Sequence, residues 1–349
     1  MKEFTHRRCR KCLLQEDPYH NVHLNEDMVC NVCSREAAEE RMGWEELREI
    51  FEGTIQRLKG RAEYDGVVMM SGGKDSAYLA YTLKRKYGLK LLGLINDIHF
   101  EYQETFDNAS KICEALDIPL EKNVLPRELT KNFFHFLFTE KELRDKSHGH
   151  ICNYCGRVMI RAAGEYAKAR GIPMVFSGHN PEQVFGMGES YEIDEARKIR
   201  RMFTIKMISD SLVKAKTQLR LKRKPDLIAF FPDELFPEGV TGLFMYQHFP
   251  YEPLHMMEVI KRELGWRPIN KFSKTYIASG CRLAKLWMHL AYMNKTSSYV
   301  DFELSNQIRS GVLSKDLVEK FYNDAVDSAG EIEELLDELG ITGGIESIL

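Results

Sequence analysis

Short apolar runs alternate with amphipathic segments through the middle of the chain, and this pattern predicts an α/β core. Four runs bounded by polar or turn residues are predicted as buried strands, namely 65–70, 91–95, 120–125 and 174–177. Apolar residues at helical spacing predict three helices, over 75–86, 105–116 and 158–170. The first two follow strands, and the third leads into the last strand. Repeated strand-helix-strand units imply right-handed crossovers and a parallel sheet with helices on both faces. The ligand site of such a sheet is expected beyond the carboxyl ends of its strands.

The two ends of the chain differ from this core. Residues 1–40 are rich in cysteine, histidine and charge but poor in apolar runs, so they need a stabilising link such as a bound metal in order to fold. Apolar residues from Trp44 to Leu58 recur at helical spacing, and the chain beyond Met187 is mostly helical. The expected organisation is a metal knuckle, a connector helix, an α/β domain and a helical substrate-side region, with boundaries 1–40, 41–62, 63–190 and 191–349.

Composition and net charge do not indicate a particular class of binding partner. Of the 349 residues, 44% are hydrophobic and 29% are charged, and the formal net charge of -3 is ordinary for a globular protein. No apolar run approaches the roughly 20 residues that cross a bilayer. The N-terminus lacks a signal pattern, so a cytoplasmic protein without a membrane partner is expected, with a homodimer as the commonest assembly. One basic stripe fits either a solvated face or a nucleic-acid surface, and it consists of Lys206, Lys214, Lys216, Arg220, Lys222, Arg223 and Lys224.

The hexapeptide Ser71-Gly72-Gly73-Lys74-Asp75-Ser76 lies between a predicted strand and a predicted helix, where a phosphate site is expected. The glycine pair lets the backbone approach an anion closely, and the start of the helix supplies unpaired amides. Lys74 and the two serines add ammonium and hydroxyl donors, while Asp75 suits helix capping or magnesium ligation. The spacing of a Walker loop is absent.

These residues resemble the PP-loop of the N-type ATP pyrophosphatases, and the resemblance covers about residues 65–180. It implies an adenine nucleotide alpha hydrolase-like parallel sheet, with ATP and Mg2+ bound and ATP split between its α and β phosphates. In that family the segment after the second strand contacts the adenine, which here is Asn96-Asp97-Ile98-His99. A later family motif matches Ser177-Gly178-His179-Asn180, so Gly178, His179 and Asn180 are expected at the nucleotide.

Four of the eight cysteines form the pairs Cys9, Cys12 and Cys30, Cys33, separated by 17 residues. This spacing predicts a closed four-thiolate zinc site of structural type, whose binding energy folds the knuckle. In a reducing compartment metal ligation explains such pairs better than disulfides do.

Cys152 and Cys155 form a third pair with no partner nearby in the sequence, and Cys281 beside a glycine is a remote candidate ligand. These three thiols fit an iron-sulfur cluster with one open iron, a second zinc site, a redox disulfide or plain burial. Cys113 falls on the apolar face of its predicted helix, which favours core packing.

Two narrower resemblances divide the functional prediction. The segment Cys152-Asn153-Tyr154-Cys155-Gly156, followed by Gly178-His179-Asn180, looks like the tRNA 2-thiouridine synthetases, in which paired cysteines and a third hold an iron-sulfur cluster. The knuckle, the phosphate loop and Ile308-Arg309-Ser310-Gly311 resemble the N-acetyl sugar amidotransferases of surface-sugar pathways, and that likeness spans most of the chain.

The expected activity is therefore ATP-dependent adenylation, in which Lys74 and Mg2+ offset the charge of the departing pyrophosphate. Sulfur transfer to a nucleobase, a tRNA base or a small molecule is favoured by the thiols Cys152, Cys155 and Cys281, with a sulfur donor protein as partner. Amidation of a sugar-derived carbonyl with ammonia from a glutaminase subunit is the alternative. A nucleic-acid binder without catalysis would leave the phosphate loop unexplained.

Overall fold

The computed structural model of the chain describes residues 7–34, 43–188, 195–273, 275, 277, 279–325 and 329–349. The chain forms two compact units. We call one the cysteine unit, with residues up to 38, 130–152 and 268–349, and the other the sheet unit, with residues 39–129 and 153–267. The division into four parts that we expect from the sequence stays a prediction.

The sheet unit contains a parallel sheet of five strands in the order β3-β2-β1-β4-β5. The strands are β1 (Gly66–Met69), β2 (Leu91–Asp97), β3 (Leu120–Val124), β4 (Met174–Ser177) and β5 (Thr241–Phe244). Val67 of the central strand β1 pairs with Leu92 on one side and with Val175 on the other. The carboxyl ends of all five strands therefore meet at one edge of the sheet.

The helices of the chain, with their bounds, are α1 (Asn31–Ser34), α2 (Trp44–Leu58), α3 (Lys74–Arg85), α4 (Gln103–Ala115), α5 (Arg127–Thr139), α6 (His150–Ala169), α7 (Pro181–Gly186), α8 (Glu195–Leu221), α9 (Pro253–Leu264), α10 (Leu283–Met293), α11 (Tyr299–Arg309), α12 (Lys315–Ala325) and α13 (Ala329–Leu339). Among the described helices, none combines the length and the apolar character that a bilayer crossing requires. The parallel sheet, the helices around it and the helical C-terminal region confirm the predicted fold class.

The core beneath the phosphate loop explains why the central strand could be predicted. Val67, Leu92 and Val175 are buried, and they pack with Ala163 and Ala167 of α6. A strand that is covered on both faces reads as a continuous apolar run, and β1 and β2 have that pattern. The predicted strands and the helices between them are confirmed to within a few residues, except at the start of the helix before β4.

Helix α6 and strand β5 differ from the prediction, and the helix α5 was not predicted. Helix α6 begins at His150 rather than Val158, so Cys152 and Cys155 lie within its first two turns and not ahead of it. Gly156 lies inside the helix, where an added β-carbon would come 2.8 Å from the sulfur of Met187. The glycine therefore serves close packing rather than ending the helix. Strand β5 was not predicted, because only its last two residues are buried and it lacks the continuous apolar run that marks β1 and β4.

The cysteine unit is held around its N-terminal segment by a buried carboxylate. Asp17 is fully buried, and its Oδ2 accepts hydrogen bonds from Thr296 Oγ1 at 2.8 Å and from the Ser297 amide at 2.7 Å. The same oxygen lies 2.6 Å from His20 Nδ1. Burial alone would raise the pKa of Asp17, but the bonds from His20, Ser297 and Thr296 outweigh it and lower the pKa to about 2. The carboxylate thus stabilises the folded unit as an anion.

We expect Asp17→Asn to destabilise the cysteine unit by about 2–4 kcal/mol. The NH2 group of asparagine would face the hydroxyl and amide donors that the buried carboxylate oxygens now accept. Since the folded pKa is depressed, this stabilisation is fully present above pH 4 and is lost as the pH falls toward 2 in the wild type. Thermal unfolding of the wild type and the variant between pH 3 and 7 measures the effect. Asp27→Asn, at an exposed position of the same segment, is the matched control and should change neither curve. Equal midpoints for the wild type and Asp17→Asn at pH 7 would contradict the assignment.

Candidate functional site

The phosphate loop connects β1 to α3 at the carboxyl edge of the sheet. Gly72 adopts a φ of 64°, and a β-carbon there would lie 2.1 Å from the carbonyl oxygen of Thr105. The Ser76 hydroxyl accepts the Ser71 amide at 3.1 Å and donates to the Gly73 carbonyl at 3.2 Å. The loop is thereby closed by its own last serine, whose hydroxyl faces the protein rather than solvent.

The loop presents a row of unpaired donors. Within the described part of the chain, the backbone N–H groups of residues 72–76 donate no hydrogen bond to any protein group. They lie at the N-terminus of α3, which carries the positive end of the helix dipole. Unpaired amides at a glycine-rich helix start form an anion site, so this geometry suits the linked phosphates of a nucleotide.

Lys74 and Asp75 form the charged part of the loop. Lys74 Nζ lies 3.0 Å from Asp75 Oδ2, and the two side chains are 15% and 26% exposed. Asp75 Oδ1 accepts a hydrogen bond from Tyr251 Oη at 2.9 Å, and the Asp75 carbonyl accepts one from Tyr246 Oη at 2.7 Å. Burial, reinforced by the charge of Asp75, raises the pKa of Tyr246 well above its usual range, so its hydroxyl stays a donor. A single, mostly buried carboxylate beside a predicted phosphate site is a donor set that suits Mg2+, which takes its other ligands from phosphates and water.

Tyr251→Phe is expected to raise the Mg2+ concentration for half-maximal ATP binding by about 3- to 10-fold, because Asp75 loses the hydrogen bond that orients it. The ring is kept, and with it the packing of Lys74, whose Nζ lies 5.8 Å from the ring centroid. Calorimetric titration of ATP at several Mg2+ concentrations measures the change. Tyr81→Phe on α3 is the control and should leave the titration as in the wild type. An unchanged Mg2+ dependence in Tyr251→Phe would show that the carboxylate needs no such support.

The turn after β4 brings Gly178, His179 and Asn180 beside the loop. A β-carbon on Gly178 would come 3.0 Å from the backbone of Asp75 and Ser76, so a larger residue would crowd the start of α3. His179 is bonded through Nδ1 to Ser177 Oγ at 2.5 Å, and burial lowers its pKa to about 4. His179 is thus neutral at pH 7. Asn180 instead caps α7, since its Oδ1 accepts the Gln183 amide at 3.0 Å.

The side chains predicted at the adenine are held by protein contacts. Asn96 Nδ2 donates to the Met159 carbonyl at 3.1 Å, and Asn96 Oδ1 accepts from Asn123 at 2.8 Å. Asp97 forms an ion pair with Lys122 at 2.6 Å. Burial of Asp97 would raise its pKa, but the hydrogen bonds from Lys122 and from the His99 amide, together with the charges of these two residues, outweigh burial and lower the pKa. This segment therefore offers mainly its backbone to a ligand, and the adenine contact stays a prediction.

The predicted quartet Cys9, Cys12, Cys30 and Cys33 converges in the cysteine unit. Their sulfurs all lie within 4.8 Å of one another, with Cys9–Cys33 at 3.8 Å and Cys12–Cys30 at 3.7 Å. Four sulfurs at about 2.3 Å from one tetrahedral ion are about 3.8 Å apart, so the cage fits a single zinc ion. A cubane cluster would hold its thiolates further apart, because four irons lie between them. The Cys9 sulfur also accepts the Cys30 amide at 3.2 Å, a contact that supports metal-bound thiolates.

The remaining predicted ligands are arranged differently. Cys152 Sγ lies 3.5 Å from the Tyr299 hydroxyl, and the charge of Cys281 adds a minor contribution to the raised pKa of Tyr299. Cys155 follows Cys152 one turn later on α6. Burial raises the pKa of Cys152. The Cys9 quartet is the one group of three or more close metal-ligand atoms among the described side chains, so a cluster at these three cysteines stays a prediction. Cys113 is buried, as expected for core packing.

Three residues that contact the loop were not predicted from the sequence. Tyr246 and Tyr251 follow β5, and Trp266 follows α9, where its Nε1 donates to the Gly72 carbonyl at 3.0 Å. Recognising Thr241–Phe244 as a fifth strand would have placed the two tyrosines at the carboxyl edge. No local signal marks Trp266.

The sequence is similar to curated tRNA-modifying enzymes over part of its length. It is 28% identical over 171 residues to the tRNA-5-methyluridine(54) 2-sulfurtransferase of Pyrococcus horikoshii, covering 44% of this chain and 50% of that protein. It is 25% identical over 231 residues to the tRNA-specific 2-thiouridylase of Colwellia psychrerythraea, covering 57% of this chain and 60% of that protein. The chain spans about half the length of the curated relatives it matches. It matches no family model.

Similarity to solved structures is more distant. A U34-tRNA thiolase from Methanococcus maripaludis, solved with its 4Fe-4S cluster, is 16% identical with a TM-score of 0.37, over 96% of this chain and 98% of that one. An NH3-dependent NAD synthetase from Campylobacter jejuni is 19% identical with a TM-score of 0.31, over 54% of this chain and 92% of that one. Similarity this distant transfers no ligand or substrate to this chain. The strand-loop-helix geometry at Ser71–Ser76 and the partial sequence similarity to the sulfurtransferases confirm the predicted resemblance to the PP-loop ATP pyrophosphatase superfamily.

Proposed function

We propose that this chain is an adenylating sulfurtransferase, which splits ATP into AMP and pyrophosphate and replaces a carbonyl oxygen of a nucleobase-type acceptor, such as a tRNA base, with sulfur. The observation that carries the proposal is the row of unpaired amides at residues 72–76, in a chain similar to proteins named as tRNA sulfurtransferases. That row accommodates two linked phosphates and lets them depart together.

The residues of the loop account for the first step. The acceptor's carbonyl oxygen forms a bond to the α phosphorus of ATP, and the bond from that phosphorus to the oxygen bridging the β phosphate breaks. The unpaired amides and the Lys74 ammonium hold the β and γ phosphates as negative charge builds on them. For this Lys74 would exchange its ion pair with Asp75 for the phosphates, and the Asp75 carboxylate would then be the group that holds Mg2+, which would offset the charge of the leaving group.

The second step needs a nucleophile at the activated carbon. Sulfide attacks that carbon, and the bond to the old oxygen breaks, so AMP leaves with the oxygen. Cys152, Cys281 and Cys155, which lies one turn beyond Cys152 on α6, are the residues that would hold an iron-sulfur cluster. Such a cluster with three thiolate ligands would supply an open iron that binds sulfide. A sulfur donor protein is the partner that this chemistry requires.

One observation favours amidation as a second candidate. The knuckle and Ile308–Gly311, which carry the resemblance to N-acetyl sugar amidotransferases, are in direct contact in the cysteine unit. Arg309 Nη1 lies 3.3 Å from Cys12 Sγ, and Ile308 packs against the same cluster of buried residues. In that function ammonia from a glutaminase subunit replaces sulfide as the nucleophile, while the loop performs the same adenylation.

The test has two stages. Purified protein is incubated with ATP, Mg2+ and bulk tRNA, and the nucleotide products are separated; the proposal requires AMP and pyrophosphate, and ADP would exclude it. Labelled sulfide and labelled ammonia are then supplied in parallel. Label from sulfide in tRNA supports sulfur transfer, whereas label from ammonia in an amino-sugar acceptor, with none from sulfide, supports the second candidate.

Matched variants assign the outcome to the residues. Lys74→Ala should lower AMP formation by about 100- to 1,000-fold, because the leaving group loses its charge partner. Cys281→Ser should abolish label transfer from sulfide while ATP binding is kept. Transfer that is unaffected by Cys281→Ser, in protein that contains no iron, would remove the proposed role of the cluster.

A further inference from the structure

The carbonyl of Gly72 is held by two side chains from outside the loop. Trp266 Nε1 donates to it at 3.0 Å, and Asn108 Nδ2 donates to it at 3.2 Å. Both side chains are buried, with Trp266 at 5% and Asn108 at 9% exposure. The two bonds fix the direction in which this one carbonyl points.

Because the peptide between Gly72 and Gly73 is planar and trans, the direction of the Gly72 carbonyl also fixes the direction of the Gly73 N–H. The C=O of Gly72 and the N–H of Gly73 belong to the same peptide unit, so they point in opposite directions. Because Trp266 and Asn108 hold the carbonyl toward the protein, the Gly73 N–H is turned away from it. That N–H is among the unpaired amides of the loop.

Glycine makes the opposite orientation accessible to this peptide. Gly72 and Gly73 place little steric restriction on rotation of the unit between them, so nothing within the loop itself fixes the amide. A rotated peptide would lose both hydrogen bonds and would direct a carbonyl oxygen at the phosphates. One amide donor would then be replaced by a repulsive dipole.

Asn108 also holds the segment that contains Trp266. Its Nδ2 also donates to the carbonyl of Arg267 at 2.8 Å, so one amide group joins α4, the phosphate loop and the residue after Trp266. The indole is thereby placed by a residue that contacts the same carbonyl.

We propose that Trp266 and Asn108 are positioning residues that orient the Gly72–Gly73 peptide so that its N–H faces the β and γ phosphates of ATP. This inference rests on the proposed function, since it needs a polyphosphate in the loop. It assigns part of the phosphate affinity to two residues that do not touch the nucleotide.

The test compares three probes by calorimetric titration: Mg-ATP, magnesium pyrophosphate and adenosine. Trp266→Phe keeps an aromatic ring and removes the N–H, and Asn108→Leu keeps the size and removes the amide. Each variant should weaken Mg-ATP and pyrophosphate by about 5-fold, and the double variant by about 25-fold, as expected for one and two lost hydrogen bonds. Adenosine binding should stay as in the wild type, which a general distortion of the site would not allow. Trp44→Phe, at an exposed tryptophan of α2, is the matched control and should bind all three probes normally.

The outcomes separate this inference from the proposed function. Normal binding of all probes by Trp266→Phe and by the double variant overturns the inference and leaves the proposed function in place. Equal losses for adenosine and pyrophosphate also overturn it, because the effect would then not be specific to phosphate. Failure of the wild type to bind either Mg-ATP or pyrophosphate overturns both. A shift of the Gly73 amide resonance with pyrophosphate in the wild type, reduced in the double variant, is the supporting result.

Discussion

Gly72→Ala is expected to reduce Mg-ATP binding and AMP formation by at least about 100-fold. Alanine disfavours the φ of 64° by about 1 kcal/mol, and its β-carbon would lie 2.1 Å from the carbonyl oxygen of Thr105 and 3.1 Å from the β-carbon of Asn108. Both neighbours belong to α4, so neither yields without a shift of that helix. The loop must move instead, and with it the row of amides that we propose as the phosphate site. Titration with Mg-ATP and quantification of AMP measure the loss.

Gly73→Ala is the matched control for the effect on folding. Gly73 has a φ of -77°, and a β-carbon there would meet only Ser71 Oγ at 3.5 Å. We expect this variant to unfold at the wild-type temperature, whereas Gly72→Ala should unfold several degrees lower. Wild-type ATP affinity in Gly72→Ala would show that the loop accommodates its ligand without the left-handed residue.

The zinc predicted at the knuckle should be lost when Cys9 is replaced by serine, and the N-terminal segment should then unfold. Structural zinc binding to such sites supplies about 10–16 kcal/mol at neutral pH, far more than the small core of this segment. The loss should appear as less than one zinc per chain by elemental analysis and as rapid proteolysis before residue 40. A strong chelator should have the same effect on the wild type.

Cys113→Ala is the control for that experiment, because Cys113 is a buried cysteine of the sheet unit and does not belong to the quartet. It should retain one zinc per chain and an intact N-terminal segment. One zinc retained in Cys9→Ser, or iron in place of zinc at the quartet, would contradict the assignment. The 3.7–3.8 Å spacing of the sulfurs favours a single ion over a cluster.

The roles predicted for the serine and asparagine side chains of the site depend on tertiary contacts. Ser76 lies within the predicted loop, yet its hydroxyl closes the turn by donating to Gly73. Asn180 lies within the predicted motif, yet it caps α7, and Asn96 is bonded to Met159 and Asn123. The sequence indicated that these segments reach the site, but it could not show which side chains had partners already.

The sequence by itself determined the parts of this protein whose signals are local. The buried strand before Gly72, the helix after Lys74 and the two cysteine pairs are each encoded within a few residues, because strand period, helix period and ligand spacing are short-range properties. Only the tertiary structure decided what surrounds the loop. Tyr246, Tyr251 and Trp266 lie 171 to 194 residues beyond their partners in the loop, and the position of β5 beside β4 and the segments that follow β5 bring them there. A periodic pattern carries no information about such pairs, since their approach depends on the order of strands in the sheet.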